Sequence, residues 1–452
     1  MTFGNEYRRA MFGAVVVSVL WGFLLPACRA QESSAPALTR PEMKQRLEAL
    51  RQRQSRLPLP PPTEAERASG RSLVNNGRLR ALYLPASWTS FVIAGWGRGS
   101  AARPTAGGTS ALLNTLQAQP DYAFKTRIFW VVSRANDCEY CLGHQELKLR
   151  RAGMLEDQIA ALDGSWELQP PAERAAFAAA RMLTLSPHRF SAAETGPLLS
   201  EFRPAALIDV LYTIARYNAV NRWTAATGIP QDQAFGGDEH PPLDTPTSLQ
   251  FATMESSVAP RQPEARADWE PNEEYLAKIA AARTRSPLVP LPDVSTASAV
   301  LAADTPGVIP PNWFRALSGL SVATDAWAQR QARIRDGESP LELRLLIAWV
   351  TARENRAWYA AEHARLRYAA GGRDTAVLWS FSVLEAAVSP EWAEALRFAR
   401  KLTSAPQTIV DADVVRLRQH FSDRQTAEII DSAADANGFD RFTESLLLPL
   451  EF

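Results

Sequence analysis

The chain has 452 residues with 49 Lys+Arg against 49 Asp+Glu, so its formal charge is zero. That balance offers no electrostatic case for nucleic acid or an anionic membrane surface as a partner. Eighteen Phe and 13 Trp supply ample apolar bulk, the length suits two domains better than one, and three cysteines with five histidines confine thiol and imidazole chemistry to very few places.

Residues 1–30 read as an export signal. Arg8 and Arg9 form a short basic region, and Met11 to Leu25 is a near-continuous apolar run, too short to span a bilayer comfortably but suited to a secretory core. Leu25-Pro26-Ala27-Cys28 resembles a bacterial lipobox, which would lipidate Cys28 after cleavage; ordinary cleavage with an incidental cysteine is the other reading. Both predict an exported protein, periplasmic or held at the membrane as a lipoprotein, with the N-terminal anchor as its membrane contact.

Residues 31–73 read as a tether and spacer, with a charged helical stretch from Met43 to Arg56 ended by Pro58, Pro60, Pro61 and Pro62. From 74 to 233 the pattern is helical, most clearly at Phe124–Val132, Arg174–Leu185 and Ala205–Tyr217, where apolar residues recur at three- and four-residue intervals. A proline-rich, acidic linker follows over 234–292, and a second helical block over 293–452. No segment alternates with period two, so the predicted fold class is all-α.

The first block holds Cys138-Glu139-Tyr140-Cys141-Leu142-Gly143-His144. Two cysteines three apart at a helix start form a dithiol/disulfide centre, and a helix N-terminus with a nearby histidine favours the reactive thiolate. Outside the cytoplasm the pair could also be an inert disulfide, although so small a loop adds little stability.

The two blocks are copies. Arg134, Asn136, Tyr140 and His144 fall on Arg353, Asn355, Tyr359 and His363 at a constant offset of 219, and Asn218, Arg222 and Thr224 fall on Asn437, Arg441 and Thr443. One offset held over about 90 residues identifies a tandem duplication. Both cysteines become alanine in the second copy, at Ala357 and Ala360, while the histidine persists as His363. The predicted arrangement is a redox domain fused to a thiol-free copy as an intramolecular pseudo-dimer, open to higher homo-oligomers.

Cys138-x-x-Cys141 with Tyr140, Asn136 upstream and His144 downstream resembles the alkyl hydroperoxidase D-like branch of the carboxymuconolactone decarboxylase family. The resemblance spans both copies, with the full motif only in the first. It implies an all-helical fold in which Cys141 attacks the peroxide, Cys138 resolves the intermediate, and a glutamate and His144 relay protons, without cofactor or metal. The chain departs from the family pattern twice. His144 stands one position early, about 60° round a helix from Cys141. Thr126 occupies the place of the relay glutamate, with Leu345 at the matching place in the second copy; Glu139 and Glu146 are candidate substitutes.

The chemistry expected is a thiol peroxidase cycle or disulfide exchange, on a peroxide or disulfide substrate with an external thiol reductant. Two rival readings accompany it. In one, Cys138, Cys141 and His144, with His363, bind zinc; in the other, the protein is a non-catalytic helical scaffold with vestigial thiols. Tyr140 and Tyr359 read as packing residues, and His144 as either a relay or a hydrogen-bonded structural group.

Overall fold

The computed structural model describes residues 38–68, 74–89, 121–232, 245–260, 266–301, 305 and 307–452. Residues 1–30, read from the sequence as an export signal with Cys28, lie outside them. Every regular element among the described residues is helical, and no described helix is long and apolar enough to cross a membrane.

Each half is built round helices whose ends are written locally. After α1 (Arg40–Ala49) and α2 (Asn75–Tyr83), helix α3 runs from Tyr122 to Ala135, opened by the Asp121 carboxylate accepting the Phe124 N–H at 2.6 Å. Asp137 then adopts φ 51°, and the Cys138 N–H returns to the Ser133 carbonyl at 2.8 Å, reversing the chain into α4 (Glu139–Arg151). Pro171 starts α5 (Pro171–Leu185), Ser191 caps α6 (Ala192–Glu201), and α7 (Pro204–Thr227) ends at Gly228, whose φ of 60° suits glycine. The sequence-predicted segments at 124–132, 174–185 and 205–217 all lie inside these helices.

The second half contains α8 (Asn272–Thr284), α9 (Asn312–Leu317), α10 (Ala323–Arg335), α11 (Leu341–Asn355), α12 (Trp358–Ala370), α13 (Pro390–Ser404), α14 (Asp411–Arg418) and α15 (Asp423–Ser445). Helices α11, α12, α13 and α15 start 219 residues after α3, α4, α5 and α7. The local geometry recurs as well: Arg356 adopts φ 53°, and the Ala357 N–H returns to the Ala352 carbonyl at 2.8 Å.

Helices α7 and α15 pack along each other at the centre. Gly438 permits their close approach, since a Cβ there would lie 3.1 Å from the Ala215 carbonyl oxygen and 3.1 Å from the Ala219 Cβ. Two buried arginines cross the seam reciprocally: Arg222 Nη2 donates to the Thr403 carbonyl and Arg441 Nη2 to the Thr184 carbonyl, each at 3.2 Å. Buried apolar side chains form one continuous core through both halves.

Residues read as spacers take part in this packing. Met43, Leu47, Leu50 and Leu57 are buried, and the Arg40 guanidinium is enclosed between Glu146 and Glu156. Arg56 donates to the Ala225 carbonyl of α7 at 2.6 Å and to the Ile409 carbonyl at 3.0 Å, tying both halves together. Within 266–292, Trp269 and Tyr275 are buried, and both rings face the Arg353 guanidinium. Charge and proline content suggested a solvated spacer, but the sparse apolar residues are spaced so that each finds the core.

Candidate functional site

Cys138 is the N-cap of α4 and Cys141 lies in its first turn. Both are free thiols and both are buried. Each sulfur lies 3.1 Å from the same atom, Thr224 Oγ1 of α7. That hydroxyl has two further acceptors within reach, the carbonyls of Val220 at 3.0 Å and Asn221 at 3.1 Å. With one proton and two lone pairs, it can accept from one thiol while donating to the other. The Asn221 amide, anchored to Ser133 Oγ at 3.0 Å, completes the polar wall.

The two thiols are electrostatically unequal. Burial alone would raise Cys138, but hydrogen bonds from Cys141, Asn221 and Thr224 outweigh it and hold its pKa below the ordinary cysteine value. The N-cap position adds the positive end of the α4 dipole. Burial, then the hydrogen bond and charge of Cys138, push Cys141 well up. Lys148, two turns further along α4, is pushed down to about 8 by burial, with Cys141 acting in the opposite direction.

His144 is buried and places Nε2 2.5 Å from Asp232 Oδ2. Burial lowers its pKa, with Asp232 opposing, so the neutral ring donates Nε2–H to the carboxylate. The same oxygen accepts from Tyr140 Oη at 2.9 Å, while Asp232 Oδ1 accepts the Asn75 N–H at 2.6 Å. Tyr140 and His144 rings lie 4.4 Å apart. Tyr140 is thus a polar member of the site as well as a packing group. Burial, then the charge of Asp232, raises its pKa well above the usual phenol value and keeps it a donor.

Of the carboxylates considered from sequence, neither substitute joins the thiols. Glu146 is paired with Arg40 and Glu139 with Arg46. Thr126, at the place of the relay glutamate, turns its hydroxyl back to the Tyr122 carbonyl at 2.8 Å. Asp232 is the acid that completes the cluster, and it was not among the candidates. One signal could have found it: the offset of 219 sets Asp232 on Glu451, an acid in both copies. Thr224 was seen as part of the repeat but not as a thiol partner.

The second half repeats this cluster without sulfur. His363 Nε2 lies 3.1 Å from Glu451 Oε2, Tyr359 donates to Glu451 Oε1, and the Tyr359 and His363 rings are again 4.4 Å apart. Ala357 and Ala360 replace the cysteines, Thr443 matches Thr224, and Asp440 stands where Asn221 stands in the first half. Burial pushes Asp440 up to about 8, so at neutral pH it is largely a protonated acid, close in shape to asparagine. It accepts from Asn355 Nδ2 at 2.8 Å.

Among the described residues, no three His, Cys, Asp or Glu side chains converge as a metal site, and His144 and His363 each pair with the carboxylate of their own half. Neither a scan against protein-family models nor a search of curated proteins returns a match to this chain.

Proposed function

We propose that this chain is an exported thiol oxidoreductase whose Cys138–Cys141 pair cycles between dithiol and disulfide, with a small peroxide as oxidant. The observation that carries the reading is two unequal thiols held on one hydroxyl, Thr224 Oγ1, each at 3.1 Å. The resemblance of the Cys-x-x-Cys segment to the alkyl hydroperoxidase D-like branch supports it, and burial of both sulfurs favours a small oxidant.

The low-pKa Cys138 is the attacking sulfur on this reading, the reverse of the roles the resemblance implies. The Cys138 thiolate attacks the O–O bond and becomes sulfenic acid, and the departing hydroxide takes the Cys141 proton through Thr224. The Cys141 thiolate then displaces the sulfenic oxygen, which leaves as water after taking a proton from solvent. An external dithiol reduces the disulfide.

His144 acts in this scheme by positioning α4 through Asp232. The same Tyr–His–carboxylate cluster in the thiol-free half favours that role over proton relay. The second half serves as a built-in partner: matching helix starts and the reciprocal Arg222–Thr403 and Arg441–Thr184 bonds support a fused pseudo-dimer.

The test is peroxide consumption by the purified chain with dithiothreitol, comparing wild type with Cys138→Ala and Cys141→Ala. Turnover lost in both variants supports the cycle. If the pair cycles reversibly without consuming peroxide, disulfide exchange replaces it; if it does neither, the thiols are structural.

A further inference from the structure

The central seam holds a half-open cleft of about 100 Å³ that the thiol chemistry does not use. Helices α7 and α15 line it with positions that correspond at the offset of 219: Tyr212 with Asp431, Arg216 with Asp435, and Val220 with Phe439. The cleft therefore exists only where the two halves meet, and its chemistry comes from their differences.

Four guanidiniums face it, from Arg80, Arg216, Arg330 and Arg333, against the two carboxylates of Asp431 and Asp435. Asp431 is shared, accepting from Arg80 at 2.7 Å and Arg333 at 2.7 Å. Asp435 stands 3.7 Å from both Arg330 and Arg333, outside hydrogen-bond range. Positive charge is left in excess, and burial pushes Arg330 down to about 10.

Unmet donors mark the same wall. The buried Nε of Arg330 and Nε2 of Gln329 have no hydrogen-bond partner among the described residues, and Arg333 Nε has only the Asp435 carboxylate, at 3.7 Å. Gln329 itself is only 7 % exposed. Buried donors without acceptors are costly; other buried arginine Nε atoms of the chain share this state, whereas among the described residues Gln329 Nε2 is the side-chain amide nitrogen so placed. Phe439 lies on this same wall, its ring covered by the Arg330 guanidinium at 3.3 Å, with Trp313 beside it; the rest of the lining includes Val220, Leu317 and Phe442.

We propose that this cleft binds a small aromatic carboxylate, its anion held by Arg330, Arg333 and Gln329 and its ring packed among the apolar lining of Val220, Leu317 and Phe442. An anion supplies the missing acceptors, and the apolar lining accommodates a ring.

Isothermal titration of the full chain with benzoate, benzyl alcohol and sulfate tests this. The expected result is saturable binding of one benzoate, with benzyl alcohol and sulfate each at least tenfold weaker. Arg330→Met and Ala219→Leu, the second filling the cleft without removing a charge, should each weaken benzoate at least tenfold while retaining cooperative unfolding. Benzoate binding should persist in the Cys138→Ala/Cys141→Ala double variant, which separates the cleft from the thiols. Absent saturable benzoate binding, equal affinity for benzyl alcohol, equal affinity for sulfate, or undiminished binding in a folded Ala219→Leu chain would each overturn the proposal.

Discussion

Asp232 and His144 stand 88 residues apart in the chain and 2.5 Å apart in space. The bond joins the stretch after α7 to the first turns of α4, and Glu451 and His363 make the matching bond in the second half at 3.1 Å. Asp232 accepts from Asn75, Tyr140 and His144. Asp232→Ala therefore orphans three donors in a buried place and should cost about 3–5 kcal/mol. Asp232→Asn should lower peroxide turnover by loosening α4, whereas Glu451→Gln should lower thermal stability with little effect on thiol oxidation. Equal effects of both on thiol oxidation rates would remove the positioning role from His144.

Thr224→Val removes the hydroxyl shared by the two sulfurs at nearly constant volume. Oxidation of the dithiol by peroxide, followed by stopped flow, should slow by a factor on the order of 10². The midpoint for alkylation of Cys138 should rise as well, because a hydrogen bond to the thiolate is lost. A variant with unchanged rate and midpoint would show that Thr224 only packs.

The inequality of the thiols predicts which one alkylates first. Cys138, held below the ordinary cysteine value, should react with iodoacetamide at lower pH than Cys141, which burial pushes up. Peptide mapping of partly alkylated protein across pH 6–10 checks the order. Prior modification of Cys141 would restore it as the attacking sulfur.

Asp440 makes stability depend on pH. In the fold its pKa is pushed up to about 8 by burial, above the ordinary aspartate value of 3.8. Between those values the unfolded chain releases a proton that the folded chain keeps, so Asp440 costs stability progressively as pH rises from 4 to 8 and no more above it. Asp440→Asn should remove this slope, gaining most over wild type near pH 8. Parallel urea-midpoint profiles of the two chains would contradict it.

Residues 36–260 expressed alone should self-associate or aggregate, because the α7 face that meets α15 would be bare. Light scattering of the fragment decides; a monomer that unfolds cooperatively would count against a built-in partner.

The helical class was legible from apolar spacing, and the equivalence of the helix starts from one constant offset. These are local properties: capping residues, prolines and i, i+3/i+4 periodicity act within a turn or two of chain. The dithiol was legible for the same reason, since both cysteines lie within one helical turn. Residues 40–57 and 266–292 were harder, because a few apolar side chains among many charges reveal their burial only against a core built elsewhere.

By itself the sequence determined the all-α class, the repeated positions, and the seven-residue segment that holds two of the three cysteines. Tertiary structure alone decided that Thr224 serves both sulfurs, that Asp232 rather than Glu139 or Glu146 closes the cluster, and that four arginines face one cleft at the seam. The physical reason is range. Hydrogen bonds and ion pairs depend on distances of a few ångströms between side chains that the chain separates by tens or hundreds of residues, and only packing α7 against α4 and α15 brings those distances about.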